Sequence, residues 1–202
     1  MTTIRSRQRG IAAVELALLL PILSILLFGV IDFFRALQAN IIMTNIGREG
    51  ANLVSRGGTG VETGSQDIIY ALMATAPPLN VNQQGMIYIT RVMGVAGSGG
   101  TTSVVTDQYR WDDTVRRLGV NKSGYVPVSR VYNGCMAWSN GTCTNLGGTK
   151  PTVTTMSGKL RDGEVITVVE TFYKYDMMLT NFSIAGLSLP RLGPDLYSMT
   201  IF

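Results

Sequence analysis

The sequence predicts an α+β fold, with a long N-terminal helix packed on a small antiparallel β-sheet. Three observations predict it. No residue from Leu16 to Ile31 is charged. Apolar residues then recur at helical spacing as far as Leu53. Near the C-terminus, Arg161–Tyr175 contains the strongest strand pattern in the chain, apolar on both faces.

Composition narrows the function classes. The 202 residues suffice for one membrane segment and one modest globular domain. A mean hydropathy of +0.22 is high for a soluble domain, and the excess sits at the N-terminus. The formal charge is +4. Part of it is the head of the chain, where Arg5, Arg7 and Arg9 precede the first acid, Glu15. The remainder is near neutral, so no nucleic-acid footprint is expected. Histidine is absent, which removes the commonest general base and metal ligand. No catalytic residue, metal site or cofactor is expected.

The first element is the apolar segment. As a helix, Ile11–Ile31 would span ~30 Å, about one hydrocarbon core. Three arginines precede it and the long remainder follows, which places residues 1–10 in the cytoplasm and Asp32 onward outside. A cleaved signal peptide is one alternative, but the run is longer than an ordinary signal and Leu37-Gln38-Ala39 is a poor cleavage site. A plain uncleaved anchor is the second alternative.

Glu15 separates these readings, because a carboxylate inside an apolar segment is costly and marks function by default. The bland account has it reach back to the headgroups. The sharper one counts from Gly10. Cleavage after Gly10 would leave a new amine on Ile11 with Glu15 four residues later, on the same helix face. Paired within one chain or between neighbours, amine and carboxylate would neutralise each other in lipid.

These residues carry a resemblance. Gly10-Ile-Ala-Ala-Val-Glu15 resembles the processing site of type IV pilin-like precursors, cut after the glycine by prepilin peptidase. More narrowly, Arg9–Pro21 resembles the start of TadE-like proteins, pseudopilins of the tight-adherence (Tad/Flp) pilus, with Leu16 where an aromatic is usual. A second motif follows in order. Arg48-Glu-Gly-Ala51 is similar to that family's helix end, with Asn52 in place of a second arginine.

The resemblance implies a type IV pilin-like fold, with a leader (1–10), a transmembrane segment (11–31), an exported half-helix (32–58) and a periplasmic domain (59–202). It implies a minor pilin or pseudopilin in the inner membrane. The implied partners are the major Flp-type pilin, sibling pseudopilins, the inner-membrane assembly platform, prepilin peptidase and membrane lipid, with no nucleic acid. The chain could also enter the surface pilus. An anchored periplasmic binding module that never polymerises is the competing reading, and a tethered enzyme is a third.

The helix is expected to continue past the membrane. Ile31, Phe34, Leu37, Ile41/Ile42, Ile46 and Leu53 recur near helical spacing, the outer half against the domain and the inner half against neighbours. Asp32 and Arg35 read as an exposed pair at the membrane exit. Pro21 should kink the helix slightly, and Gly57-Gly58 should end it.

In the remainder, Ser65–Ala76 reads as a short helix stopped by Pro77-Pro78. Met86–Val92 and Val104–Trp111 read as strands joined near Gly97–Gly100. Asp112-Asp113, close to Arg110, Arg116 and Arg117, reads as structural rather than catalytic. Asn121–Lys159 is polar and loop-like, and holds Cys135 and Cys143. Outside the cytoplasm these would close as a disulfide; inside they would stay free thiols. Such a loop is either partner-facing or a surface excursion that needs a staple. Asn140-Gly-Thr142 and Asn181-Phe-Ser183 match the glycosylation pattern by chance. Asp195–Phe202 is expected to pair with the strand in Arg161–Tyr175.

Overall fold

A computed structural model describes residues 5–56, 65–113, 118–119, 125–146, 148–178, 183–184, 187–188 and 193–202. The expected stop at Gly57-Gly58, Arg116, Arg117 and Asn181 lie outside them. So does the connector 59–64.

The architecture is α+β. Helix α1 runs unbroken from Arg5 to Arg56 and contains Pro21. Helices α2 (Ser65–Ala74) and α3 (Val81–Gln84) follow, and the turn after α2 carries Pro77 and Pro78. A seven-stranded antiparallel sheet comes next. Its order is β11 (Asp195–Ile201), β8 (Val165–Lys174), β1 (Gly85–Gly97), β2 (Gly100–Arg110), β6 (Thr142–Cys143) and β5 (Trp138–Ser139), and β7 (Thr152–Val153) also pairs with β2. Two short ladders stand apart: β3 (Asp112–Asp113) with β4 (Leu118–Gly119), and β9 (Ser183–Ile184) with β10 (Leu187–Ser188).

The chain divides into two compact units. One comprises residues 1–38 and 176–194, the other residues 39–175 and 195–202. In the first, the Asp32 carboxylate accepts the Met178 backbone N–H at 3.0 Å. Asp32 is 3% exposed, not the exposed position expected at the membrane exit. The Met178 amide supplies the buried carboxylate with a donor. Burial of an acid is tolerable on those terms.

In the second unit, β8 lies between β1 and β11, as its two apolar faces predicted. Residues alternate between faces along a strand. On one face, Thr171 donates through Oγ1 to the Met43 carbonyl of α1 (3.4 Å), and Ile87 and Ile89 of β1 are buried alongside. On the other, Ile166 and Val168 pack with Val92, Val131 and Leu160. Each such buried aliphatic contributes about 1.5–3 kcal/mol. The sheet is thus covered twice, by α1 on one side and by the long segment before β8 on the other.

That segment corrects an expectation. The stretch 121–159, read as a loop, places β5, β6 and β7 in the sheet. Asn140 (φ 46°) and Gly141 (φ 74°) form the two-residue turn between β5 and β6. Asn-Gly is the preferred dipeptide where both central residues need positive φ. The Cys135–Cys143 disulfide is formed, and Cys143 packs with Val105 and Leu146.

Candidate functional site

From Ile11 to Val30, α1 has no apolar side to hide. Ile11, Val14, Leu18, Leu23 and Leu27 are all more than half exposed, on every face. The helix is long and apolar enough to cross a membrane, with a window of mean hydropathy 2.6 and none of it buried. A helix apolar all round has to be enclosed by lipid or by other helices. The few polar groups are managed locally. Ser24 donates to the Leu20 carbonyl at 2.8 Å, which satisfies its hydroxyl within the helix. Glu15 is exposed among these apolar residues, one turn from Ile11. Gly10 is helical as well.

Beyond residue 38 the character of the helix inverts. Its buried positions are Ala39, Met43, Ile46, Gly47, Gly50, Ala51 and Val54. Of the outer positions expected against the domain, Ile46 is fully buried, while Ile41 and Leu53 are exposed. The reason is distance of approach. A β-carbon on Gly47 would lie 2.9 Å from Thr200 Oγ1, and one on Gly50 would lie 2.9 Å from Leu72 Cδ1 and 3.4 Å from Val169 Cγ1. The helix sits so close to the sheet that small residues must face it. The bulkier Ile41 and Leu53 are left outside.

The motif Arg48–Ala51 therefore has two faces. Gly50 and Ala51 pack inward, while Arg48 and Glu49 remain at the surface. The two motifs read from the sequence are not brought together; they lie one long helix apart.

Sequence reasoning missed a second group of residues. Glu170, 0% exposed at the middle of β8, accepts hydrogen bonds from the Ser129 hydroxyl, the Arg130 backbone N–H (2.9 Å) and the Tyr197 hydroxyl (3.0 Å). The Arg130 guanidinium lies 4.0 Å over the Tyr197 ring. A buried carboxylate so supplied with donors ties the segment around residue 130 to β8 and β11. Burial, then the neighbouring Glu170 charge, pushes the Tyr197 hydroxyl well above its usual pKa. Tyr88, whose hydroxyl donates to the Pro127 carbonyl at 2.8 Å, is pushed to about 12, chiefly by burial. The available signal was Glu170 itself, a lone acid on an otherwise apolar face of the best strand.

Beside this network lies a cleft of about 140 Å³, lined among others by Tyr88, Gln108, Arg110, Tyr132 and Trp138. The disulfide contributes to its wall through Cys135.

Comparison with known proteins supports the N-terminal reading. Residues 10–52 match the family described as TadE-like protein. That range starts at Gly10 and includes Glu15 and Arg48–Ala51. No curated protein and no solved structure matches the chain.

Proposed function

We propose, from the premise that residues 10–52 are a TadE-like segment, that this chain is a pseudopilin taking part in assembly of a tight-adherence pilus. The observation that carries the reading is the unburied apolar surface of Ile11–Ile31. In the membrane, lipid covers that surface. On extraction, helices of the major pilin and of sibling pseudopilins take over the role, so little apolar surface meets water at any stage.

Charge then sets register. Prepilin peptidase removes residues 1–10 and leaves an amine on Ile11, which Glu15 neutralises in the same chain or in a neighbour. An unpaired carboxylate in such a bundle costs several kcal/mol, so mispaired registers are disfavoured. The three N-terminal arginines hold the leader in the cytoplasm, where the peptidase and the assembly platform meet it, and residues 32–202 lie on the periplasmic side. The reading assigns no catalytic residue.

Mass spectrometry of the chain extracted from its native membrane tests the processing step. The expected N-terminus is Ile11. An intact Met1 would instead favour an anchored periplasmic module that does not polymerise.

A further inference from the structure

The turn of α1 that follows the apolar segment is not built like a helix passing from lipid straight into water. Ile31 ends the uncharged run, and Asp32 is the first charge after it. At a boundary with water that carboxylate would be the solvated group. Instead it is 3% exposed and accepts the Met178 amide. The groups turned outward are apolar: Phe33 is 61% exposed, Phe34 63% and Met178 44%.

These residues belong to one compact unit and encircle the helix. Successive helical residues are about 100° apart, so Asp32–Arg35 complete one turn. The hydrogen bond brings Met178 to the Asp32 side. Phe33 and Phe34 take the next two faces, edge to face at 6.0 Å, and Arg35 is exposed on the last. At 1.5 Å per residue the two phenylalanines start ~3–5 Å beyond Ile31. The headgroup layer is roughly 5–8 Å deep on each side of the hydrocarbon, so both lie within it. The composition of the chain from Met177 agrees: residues 177–194 contain no acid and one cation, Arg191.

We propose that Phe33, Phe34 and Met178 form an apolar collar that lies in the headgroup layer of the bilayer crossed by α1. The occupant of this surface is lipid. The collar is continuous with the exposed apolar surface of Ile11–Ile31. Its rings and thioether bury at the boundary of headgroups and acyl chains, and the Arg35 guanidinium reaches the phosphates beside them. A neighbouring helix fits worse. Close helix packing in a membrane favours small residues, and this turn presents two phenyl rings and a second segment of chain. The collar fixes how deep α1 sits, and the Asp32–Met178 bond holds its two parts together. This inference rests on α1 crossing a membrane, and not on cleavage or polymerisation.

The experiment is nitroxide labelling of the full chain in phosphatidylethanolamine–phosphatidylglycerol vesicles. Met178→Cys and Phe34→Cys report on the collar, and Leu23→Cys is the reference inside the span. All three positions are exposed, so the label displaces no packed side chain. The native cysteines are paired with each other, so only the new thiol takes the label. Power saturation with oxygen and with a water-soluble nickel chelate reads depth, against free label in buffer. Labels at 178 and 34 should sit within about 10 Å of the headgroup–acyl boundary, open to oxygen and shielded from nickel, with the label at 23 deeper. A label at 23 as open to nickel as free label would remove the membrane-spanning premise and the collar with it. If 23 is immersed while 178 and 34 behave as free label, the collar alone is refuted. Labels at 178 and 34 shielded from oxygen and nickel alike would overturn it in favour of a protein neighbour.

Discussion

Gly50 of α1 faces Val169 of β8 so closely that a β-carbon in its place would lie 3.4 Å from the valine methyl and 2.9 Å from Leu72. The glycine of the second motif is thus a spacer that sets how near the helix comes to the sheet. Gly50→Leu should destabilise the domain by about 1–3 kcal/mol through overpacking. Thermal unfolding followed by circular dichroism reads the loss. Gly50→Ala should fall near neutral, because better helix propensity, worth up to ~1 kcal/mol, offsets the displacement of Leu72.

Asp32 gives a local prediction. Its carboxylate holds the Met178 amide, so Asp32→Ala should speed hydrogen exchange at that amide and expose the adjoining residues to protease. Asp32→Asn keeps an acceptor oxygen and should retain most of the protection. Equal exchange in the wild type and in Asp32→Ala would show that the contact does not hold the segment.

Alkaline pH should unfold the second unit through its tyrosines. Tyr88 and Tyr125 are each raised from 10 to about 12, in both cases mainly by burial, with Asp195 adding at Tyr125. A phenol whose folded pKa is raised contributes stability that is complete below pH 10 and is lost as pH climbs toward 12. Denaturant midpoints should therefore be flat below pH 10 and fall between 10 and 12. Tyr88→Phe should shallow the fall. A midpoint constant across that window would contradict the burial assigned to these hydroxyls.

Much of the fold was legible in the sequence, for reasons that can be named. The apolar segment and the two apolar faces of Val165–Lys174 are local patterns, readable from the length and composition of each run. The position of β11 beside β8 followed from the strand pattern at Asp195. Other features were not local. Which face of α1 meets the sheet depends on how close the two come, so size at Gly47, Gly50 and Ala51 outweighed hydrophobicity at Ile41 and Leu53. The apolar side chains left outside are consistent with a second set of neighbours. The hairpin at Asn140-Gly141 was legible in its turn dipeptide but hidden by the polar composition around it. Glu170 was visible as a residue, yet its donors come from 40 residues earlier and 27 residues later in the chain. No spacing rule reaches that far.

Within the candidate site, the positions of Gly10 and Glu15 are legible in the sequence because both lie on one helix, a few residues apart. The second motif needed the structure, which divides Arg48 and Glu49 from Gly50 and Ala51.

The central claim is that Ile11–Ile31 moves from lipid into a bundle of neighbours with Glu15 setting register. Its most direct measurement is surface piliation of cells that carry Glu15→Gln in the chromosomal copy, alongside the membrane level and N-terminal mass of the variant. The account predicts a chain that is inserted and processed normally while surface pili are lost or sharply reduced. Wild-type piliation with Glu15→Gln would contradict it.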